Sequence, residues 1–328
     1  QGKPQKQRKH NSSDELVSNE NFIPNLDPEI IQNISQLKEL TERLMRFDDT
    51  FNPIALDTET TSLNPFKAEL VGIGFCWGEG INDIAYIPIG HQSKNDLTEL
   101  DNQIQLNLEE VVSSIAPWLS SKSHPKVLQN AKYDRLIFLR HGLSLKGVVI
   151  DTLLADYLRD ATSKHSLEVM AKREFNFSPI PFSELVSKGE TFANVKIKTA
   201  SLYCGMDVYL TRKLACRLKQ KLEQLDPELI NLLVKVEQPL EPVLAEMEAT
   251  GIRIDTPYLK QLSSELTKTL ERLEREAHLV AGTQFNLSSP KQLGELLFDT
   301  LGLNRKKSRR TKTGWSTDAT VLEKLEAD

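Results

Sequence analysis

Apolar spacing divides the chain into a mixed first part and a helical second part. Ile30, Ile31, Ile34, Leu37, Leu40 and Leu44 recur at helical spacing, and Asp27-Pro28 ahead of them reads as an N-cap followed by proline at the first helical position. Phe51-Asn52-Pro53 is expected to end that helix and lead into a strand over 54–56. Apolar runs at 70–77 and 84–89 flank Gly78-Glu79-Gly80 and predict a meander. A helix over 108–119, a strand over 126–128, a helix from 130 to 139 and a strand over 148–150 follow. Asp151 is expected to cap the next helix rather than to act as a ligand, because Thr152-Leu153-Leu154 continues straight on. Residues 160–199 mix helix and loop, and 201–225 form a long helix.

Pro227 marks a change. Leu232, Leu233, Val236, Leu240, Val243, Leu244 and Met247 form a stripe that reads as helix core, with a kink expected from Pro239 and Pro242. Gly251 stops that helix, 257–281 form another, and Ser289-Pro290 starts a third that runs to about residue 301. Residues 305–312 are expected to be loop, and 317–325 a last short helix. The expected organisation is a disordered linker over 1–26, a mixed α/β domain over 27–226 and an all-helical segment over 227–328.

Composition adds limits. The chain has 328 residues, 39% hydrophobic and 27% charged, as expected of two globular domains. No apolar run approaches the roughly 18 residues of a membrane span. Cys76, Cys204 and Cys216 stand at unrelated spacings, which points to a reducing, cytoplasmic compartment and to thiols that serve as packing. The chain opens at Gln1 without a signal peptide or initiator Met, so a piece of a longer protein is expected. A net charge of −5 argues against a uniformly basic nucleic-acid coat, yet residues 305–312 hold six basic residues in eight positions.

The candidate chemistry is acidic. In a strand, Asp57 and Glu59 project to one side and Thr58 to the other. Two adjacent carboxylates need neutralising, and a divalent metal is the usual answer. Asp134 falls in or near the first turn of a helix. Tyr203 and Asp207, four apart on a helix, share a face, where the bland alternative is a buried Tyr beside a solvated Asp.

Asp57-Thr-Glu59, Asn130-Ala-Lys-Tyr133-Asp134 and Tyr203-x-x-x-Asp207, in that order, resemble the three motifs of the Tyr-containing DEDD superfamily of 3′→5′ exonucleases. Residues 54 to about 222 are similar to the proofreading domain of bacterial family A DNA polymerases. Glu237-Gln-Pro-Leu-Glu-Pro-Val-Leu through Gly251, Phe285-Asn-Leu-Ser-Ser and Ser316-Thr-x-x-x-Val-Leu-Glu323 resemble the start of that family's polymerase domain. The resemblance implies a ribonuclease H-like mixed sheet flanked by helices, followed by a thumb-like segment. The palm and fingers would lie in the rest of a full-length chain, so residues 1–328 alone are not expected to polymerise.

By the same resemblance, two Mg²⁺ or Mn²⁺ ions are implied. Asp57 would bridge both, Glu59 and Asp207 would complete the first, and Asp134 would hold the second, directly or through water. Tyr203, with Glu59, would orient the attacking water. The implied DNA contacts are Thr58, Leu63 as a wedge between terminal bases, Gln129, Asn130 and Tyr133 near the terminal sugar and phosphates, and Phe182 stacked on the 3′-terminal base. A loop residue folded onto the core is the other reading of Phe182. Ser289 and the basic residues Lys306, Lys307, Arg309, Arg310 and Lys312 fit contacts to a primer–template duplex, with a solvated loop as the bland alternative. Two further readings stay open: an RNA-trimming exonuclease of the ribonuclease D type, and a catalytically silent domain kept as a DNA-binding scaffold.

Overall fold

The computed structural model describes residues 23–92, 104–312 and 314–326. It forms two compact units, Gln1–Gly251 and Ile252–Asp328. Most of the linker expected over 1–26 lies outside the described residues. Within its last residues, Leu26 is buried and Ile23 packs against the core, so 23–26 belong to the fold.

The first unit is built on a six-stranded sheet of order β1-β4-β3-β2-β5-β6. The strands are β1 (Glu29–Ile30), β2 (Ile54–Thr60), β3 (Leu70–Cys76), β4 (Ile84–Pro88), β5 (Lys126–Leu128) and β6 (Val148–Asp151). The meander β2-β3-β4 is antiparallel, whereas β2 pairs β5, and β5 pairs β6, in parallel. Alternation sorts the two faces. Leu56, Ile73 and Phe75 pack against α1 (Ile34–Leu44), α2 (Leu108–Leu119) and α3 (Ala131–Arg140). Ala55, Cys76, Ile84 and Val127 pack against Val208 and Ala215 of α7 (Ile197–Leu225). Three shorter helices complete that side: α4 (Thr152–Arg159), α5 (Leu167–Phe175) and α6 (Phe182–Leu185).

The helix expected from Pro28 begins instead at Ile34. Two signals compete there, and the second wins. The side chain of Asn33 accepts a hydrogen bond from the Gln36 N–H at 3.0 Å and caps the helix. Glu29 and Ile30 are drawn into the sheet edge beside β4, and the Ile31 N–H donates to Tyr86 O at 2.9 Å. That helix also ends at Leu44, well before Phe51-Asn52-Pro53. Strand β2 runs through the acids to Thr60 rather than stopping ahead of them.

After residue 226 come α8 (Pro227–Leu232), a π turn over Leu233–Glu237 and α9 (Gln238–Thr250). Where a kink was expected, the helical run carries that π turn, in which the Gln238 N–H reaches Leu233 O just before the two prolines that lack an N–H. The apolar stripe is not core. Leu233 is buried, but Leu232, Val236, Leu240, Val243, Leu244 and Met247 are exposed, while Gln238, Glu241 and Ala245 face inward. The cause is a buried cation on α3. Arg135 donates from Nε and Nη2 to the two carboxylate oxygens of Glu241, each at 2.7 Å, and also to Leu145 O. This contact carries the first unit past the boundary read near residue 226, to Gly251.

In the second unit, Asp255 caps α10 (Thr256–Ala281) and Ser289 caps α11 (Pro290–Glu295). A π turn (Leu296–Thr300) and a 3-10 turn (Arg305–Lys307) follow, then the hairpin β7 (Arg310–Thr311) and β8 (Gly314–Trp315), and α12 (Ala319–Leu325). The basic stretch is therefore part turn and part hairpin rather than plain loop. Arg310 lies over the Trp315 ring at 5.3 Å, a cation–π contact that ties the hairpin together.

Truncating Glu241 would strand a buried guanidinium. Glu241→Ala is expected to cost about 3–5 kcal/mol in chemical denaturation, with Glu241→Gln milder because it keeps one acceptor.

Candidate active site

Asp57 and Glu59 project from β2 toward α7. Their cross-strand partners in β3 are Gly74 and Gly72, and Tyr86 of β4 stands beyond Gly74. The two glycines leave room that the site uses. A Cβ on Gly74 would lie 2.4 Å from Cys204 Sγ, and one on Gly72 would lie 2.0 Å from the Tyr86 hydroxyl. Helix α7 brings in the remaining groups on that face. The Cys204 thiol hydrogen-bonds the Glu59 carboxylate, and the Tyr203 hydroxyl donates to Asp207 one turn on.

Asp134 arrives from the opposite face, in the first turn of α3. Its Oδ1 accepts from the Thr58 N–H at 3.1 Å and from the Thr58 hydroxyl at 2.6 Å. Thr58 thus uses its away-facing side chain to hold the acid that comes around the strand end. The start of α3 is fixed by Asp151, whose carboxylate accepts from the N–H groups of Asn130 at 3.0 Å and Ala131 at 2.7 Å, and from Leu153 at 2.9 Å. It caps α4, as expected, and holds Asn130 in a left-handed conformation, φ 63°.

Burial dominates the electrostatics. It pushes Asp57 up to about 7 and holds Glu59, Asp134 and Asp207 well above the usual carboxylate range, with the acids' mutual repulsion adding to it. Burial also keeps the Tyr203 phenol and the Cys204 thiol protonated. Among the described residues, Asp57, Glu59 and Cys204 place one ligand atom each within 4.8 Å of one another. Asp134 and Asp207 do not join that tight group. Oε1 of Glu59 is buried without a hydrogen-bond partner among the described residues. A clustered, desolvated donor set with an orphaned oxygen fits a divalent cation.

Cys204 is a buried packing residue, as expected, and its Sγ also lies within 4.8 Å of one oxygen each of Asp57 and Glu59. Phe192 escaped the sequence reading. Buried between Phe182 at 6.3 Å and Tyr203 at 5.8 Å, it links these two rings. Phe182 itself is 47% exposed and stacks nearly parallel to Phe192, and Leu63 is 97% exposed just beyond β2. Tyr133 hydrogen-bonds Ser62 O and Thr60 Oγ1, bracing the turn that presents Leu63. Gln129 is engaged within the fold, with His165 O at 2.9 Å and with Thr152. Ser289, Lys306, Lys307, Arg309, Arg310 and Lys312 all belong to the second unit. There the Ser289 hydroxyl caps α11, and Arg309 meets Asp318 at 3.1 Å.

A mixed sheet that gathers buried acids where its parallel and antiparallel strands meet defines an α/β nuclease fold of the ribonuclease H-like class. Residues 28–223 match the 3′–5′ exonuclease family, and the chain belongs to that family. Residues 256–328 match DNA polymerase family A. The chain is 46% identical over 305 residues to DNA polymerase I of Synechocystis sp., covering 92% of this chain and 30% of that protein. It is 38% identical over 292 residues to DNA polymerase I of Rhizobium leguminosarum, covering 84% and 28%. The solved POL domain of Pol1 from M. smegmatis, in complex with DNA primer-template and dNTP, is similar with a TM-score of 0.68 at 28% identity, covering 88% of this chain and 43% of that one. The chain thus spans about a third of the length of these curated relatives. None of the helices among the described residues is long and apolar enough to cross a membrane.

An acid with a folded pKa near 7 and an ordinary unfolded value favours folding below about pH 4. It loses that contribution as pH rises through 7. In chelator at pH 8, Asp57→Asn is therefore expected to melt higher than the unmodified chain, by a few degrees for each about 1–2 kcal/mol relieved, with little gain at pH 4. Differential scanning fluorimetry at the two pH values reads the difference.

Proposed function

We propose that this chain hydrolyses the 3′-terminal phosphodiester of single-stranded or frayed DNA, as the editing part of a longer family A DNA polymerase. The observation that carries the reading is the orphaned, buried Glu59 oxygen among acids whose ionisation the fold opposes. Asp57, Glu59, Asp134 and Asp207 would hold two Mg²⁺ or Mn²⁺ ions. When bound, the cations supply neutralisation of the attacking and leaving oxygens. The charge of Asp57 bears on Glu59, Asp134 and Asp207 alike, so the acids would hold the cations as one interacting group.

Tyr203 keeps its proton and donates to Asp207, so its part is to orient the attacking water rather than to remove its proton. Phe182 offers a half-exposed ring backed by Phe192, on which a terminal base can stack whatever its identity. Leu63 stands free to separate the last bases, and a mismatched end frays at lower cost. Gln129, Asn130 and Tyr133 would lie near the terminal sugar and phosphates, and Thr58 would contact the DNA beside the acids. The basic residues 306–312 and Ser289 would meet duplex phosphates. The match of residues 256–328 to a polymerase family weighs against an RNA-trimming role.

With Mg²⁺ or Mn²⁺, the protein should shorten single-stranded DNA from the 3′ end and release 5′-mononucleotides. Asp57→Ala should lower the rate by about 10²–10³ or more. Equal rates in the two proteins would refute the assignment. Faster cleavage of the matching RNA would favour the ribonuclease D type, and no cleavage by the folded protein would favour the scaffold.

A further inference from the structure

Phe192 lies between two groups that the site uses for different purposes. Its ring is wholly buried and stands 6.3 Å from Phe182 at 19°, and 5.8 Å from Tyr203 at 51°. Both separations fall in the range where aromatic pairs attract. The turn that carries it, Phe192–Asn194, is tied down. The Gln92 N–H donates to Ala193 O at 2.7 Å, and the Asn194 side chain accepts from the Thr191 N–H at 3.0 Å. His91 adds a third tie and a third ring, 6.3 Å from Phe192. Burial disfavours its charged form. Its Nδ1 lies 2.8 Å from Val195 O, which can only accept, so Nδ1 carries the proton and Nε2 accepts from the Tyr86 hydroxyl of β4 at 2.7 Å. Phe182, by contrast, rides on a helix of only four residues and is half exposed.

We propose that Phe192 is a positioning residue that couples the seat of the 3′-terminal base to the tyrosine that orients the attacking water. The inference rests on the reading of Phe182 as that seat and of Tyr203 as that tyrosine. A base stacked on the outer face of Phe182 holds this half-exposed ring against Phe192. Phe192 is anchored in a close-packed surrounding and cannot retreat, so an ordered Phe182 narrows the orientations open to Phe192 and, through it, to Tyr203. The Tyr203 hydroxyl is already directed at Asp207, and the freedom left to its ring is the freedom that Phe192 removes. Cleavage is therefore fastest when a base of any identity is seated. A strand end that lacks its last base is cut more slowly by the same acids.

Single-stranded DNA ending in an ordinary nucleotide, or in a tetrahydrofuran abasic residue, separates this coupling from plain structural support. Phe192→Leu should lower kcat about two- to tenfold on the base-bearing end and by a smaller factor on the abasic end, with KM changing less than kcat. Phe192→Met, which keeps the apolar volume on a flexible chain, takes its place if scanning fluorimetry shows the leucine variant unfolded. Equal losses on the two ends, a loss confined to KM, or no loss would overturn the proposal. A second readout needs no cleavage. With 3-fluorotyrosine in place of Tyr203, in chelator, the ¹⁹F resonance should differ between complexes with the two ends, and Phe192→Leu should erase the difference. Identical resonances in the unmodified background, or a difference that survives in the folded Phe192 variant, would also overturn it. A coupled resonance without cleavage counts against the editing function alone, and cleavage without coupling against Phe192 alone.

Discussion

Four carboxylates taken out of water in one place repel each other and resist ionisation, and the surrounding architecture is arranged around that cost. Two of them ride on a central strand, where they cannot turn away to solvent. The neighbouring strand answers with glycine at both facing positions, which opens the space that Cys204 and Tyr86 fill. Hydrogen bonds offset part of the penalty: two from Thr58 to Asp134, one from Tyr203 to Asp207 and one from Cys204 to Glu59. Among the described residues, the Glu59 oxygen remains without a hydrogen-bond partner, which is the observation behind the proposed cation.

The acids reach this place by three different routes, which is why their relative positions need separate support. Strand alternation sets the first pair, and one helical turn sets Tyr203 and Asp207. Asp134 depends on how α3 leaves the sheet. That exit is governed by Asp151, a carboxylate outside the cluster that gathers the first N–H groups of two successive helices. Burial pushes it up to about 6, a sign that its own desolvation outweighs the bonds it accepts.

Much of this was legible in the residues. The meander, α2 and β5 and the cap at Asp151 follow from periodicity and turn chemistry, and the order of acids pointed to one centre. The misreadings share a physical cause: side chains whose partners lie far away in sequence. Asn33 outcompeted Asp27 as a cap because Glu29 and Ile30 had a strand to join. The stripe from Leu232 to Met247 looked like core by spacing alone, yet Arg135 drew the polar face of α9 inward. Cys204 carried no motif, and only the bare Gly74 beside it gives it meaning. The alternation Gly72-x-Gly74 within an apolar strand was a readable sign of close approach from above, and it was the signal passed over.

The salt link between α3 and α9, together with the Gln238 side chain that accepts the Asp151 N–H at 3.0 Å, has an evolutionary corollary. The stretch that carries the nuclease signature ends at residue 223, whereas the body that folds around it closes only at Gly251. Family match and compact unit are offset by residues 224–251, which hold α8, the π turn and α9. The nuclease therefore borrows its last supporting wall from sequence that lies between the two family signatures, and it could not be exchanged for a distant counterpart without taking that wall along.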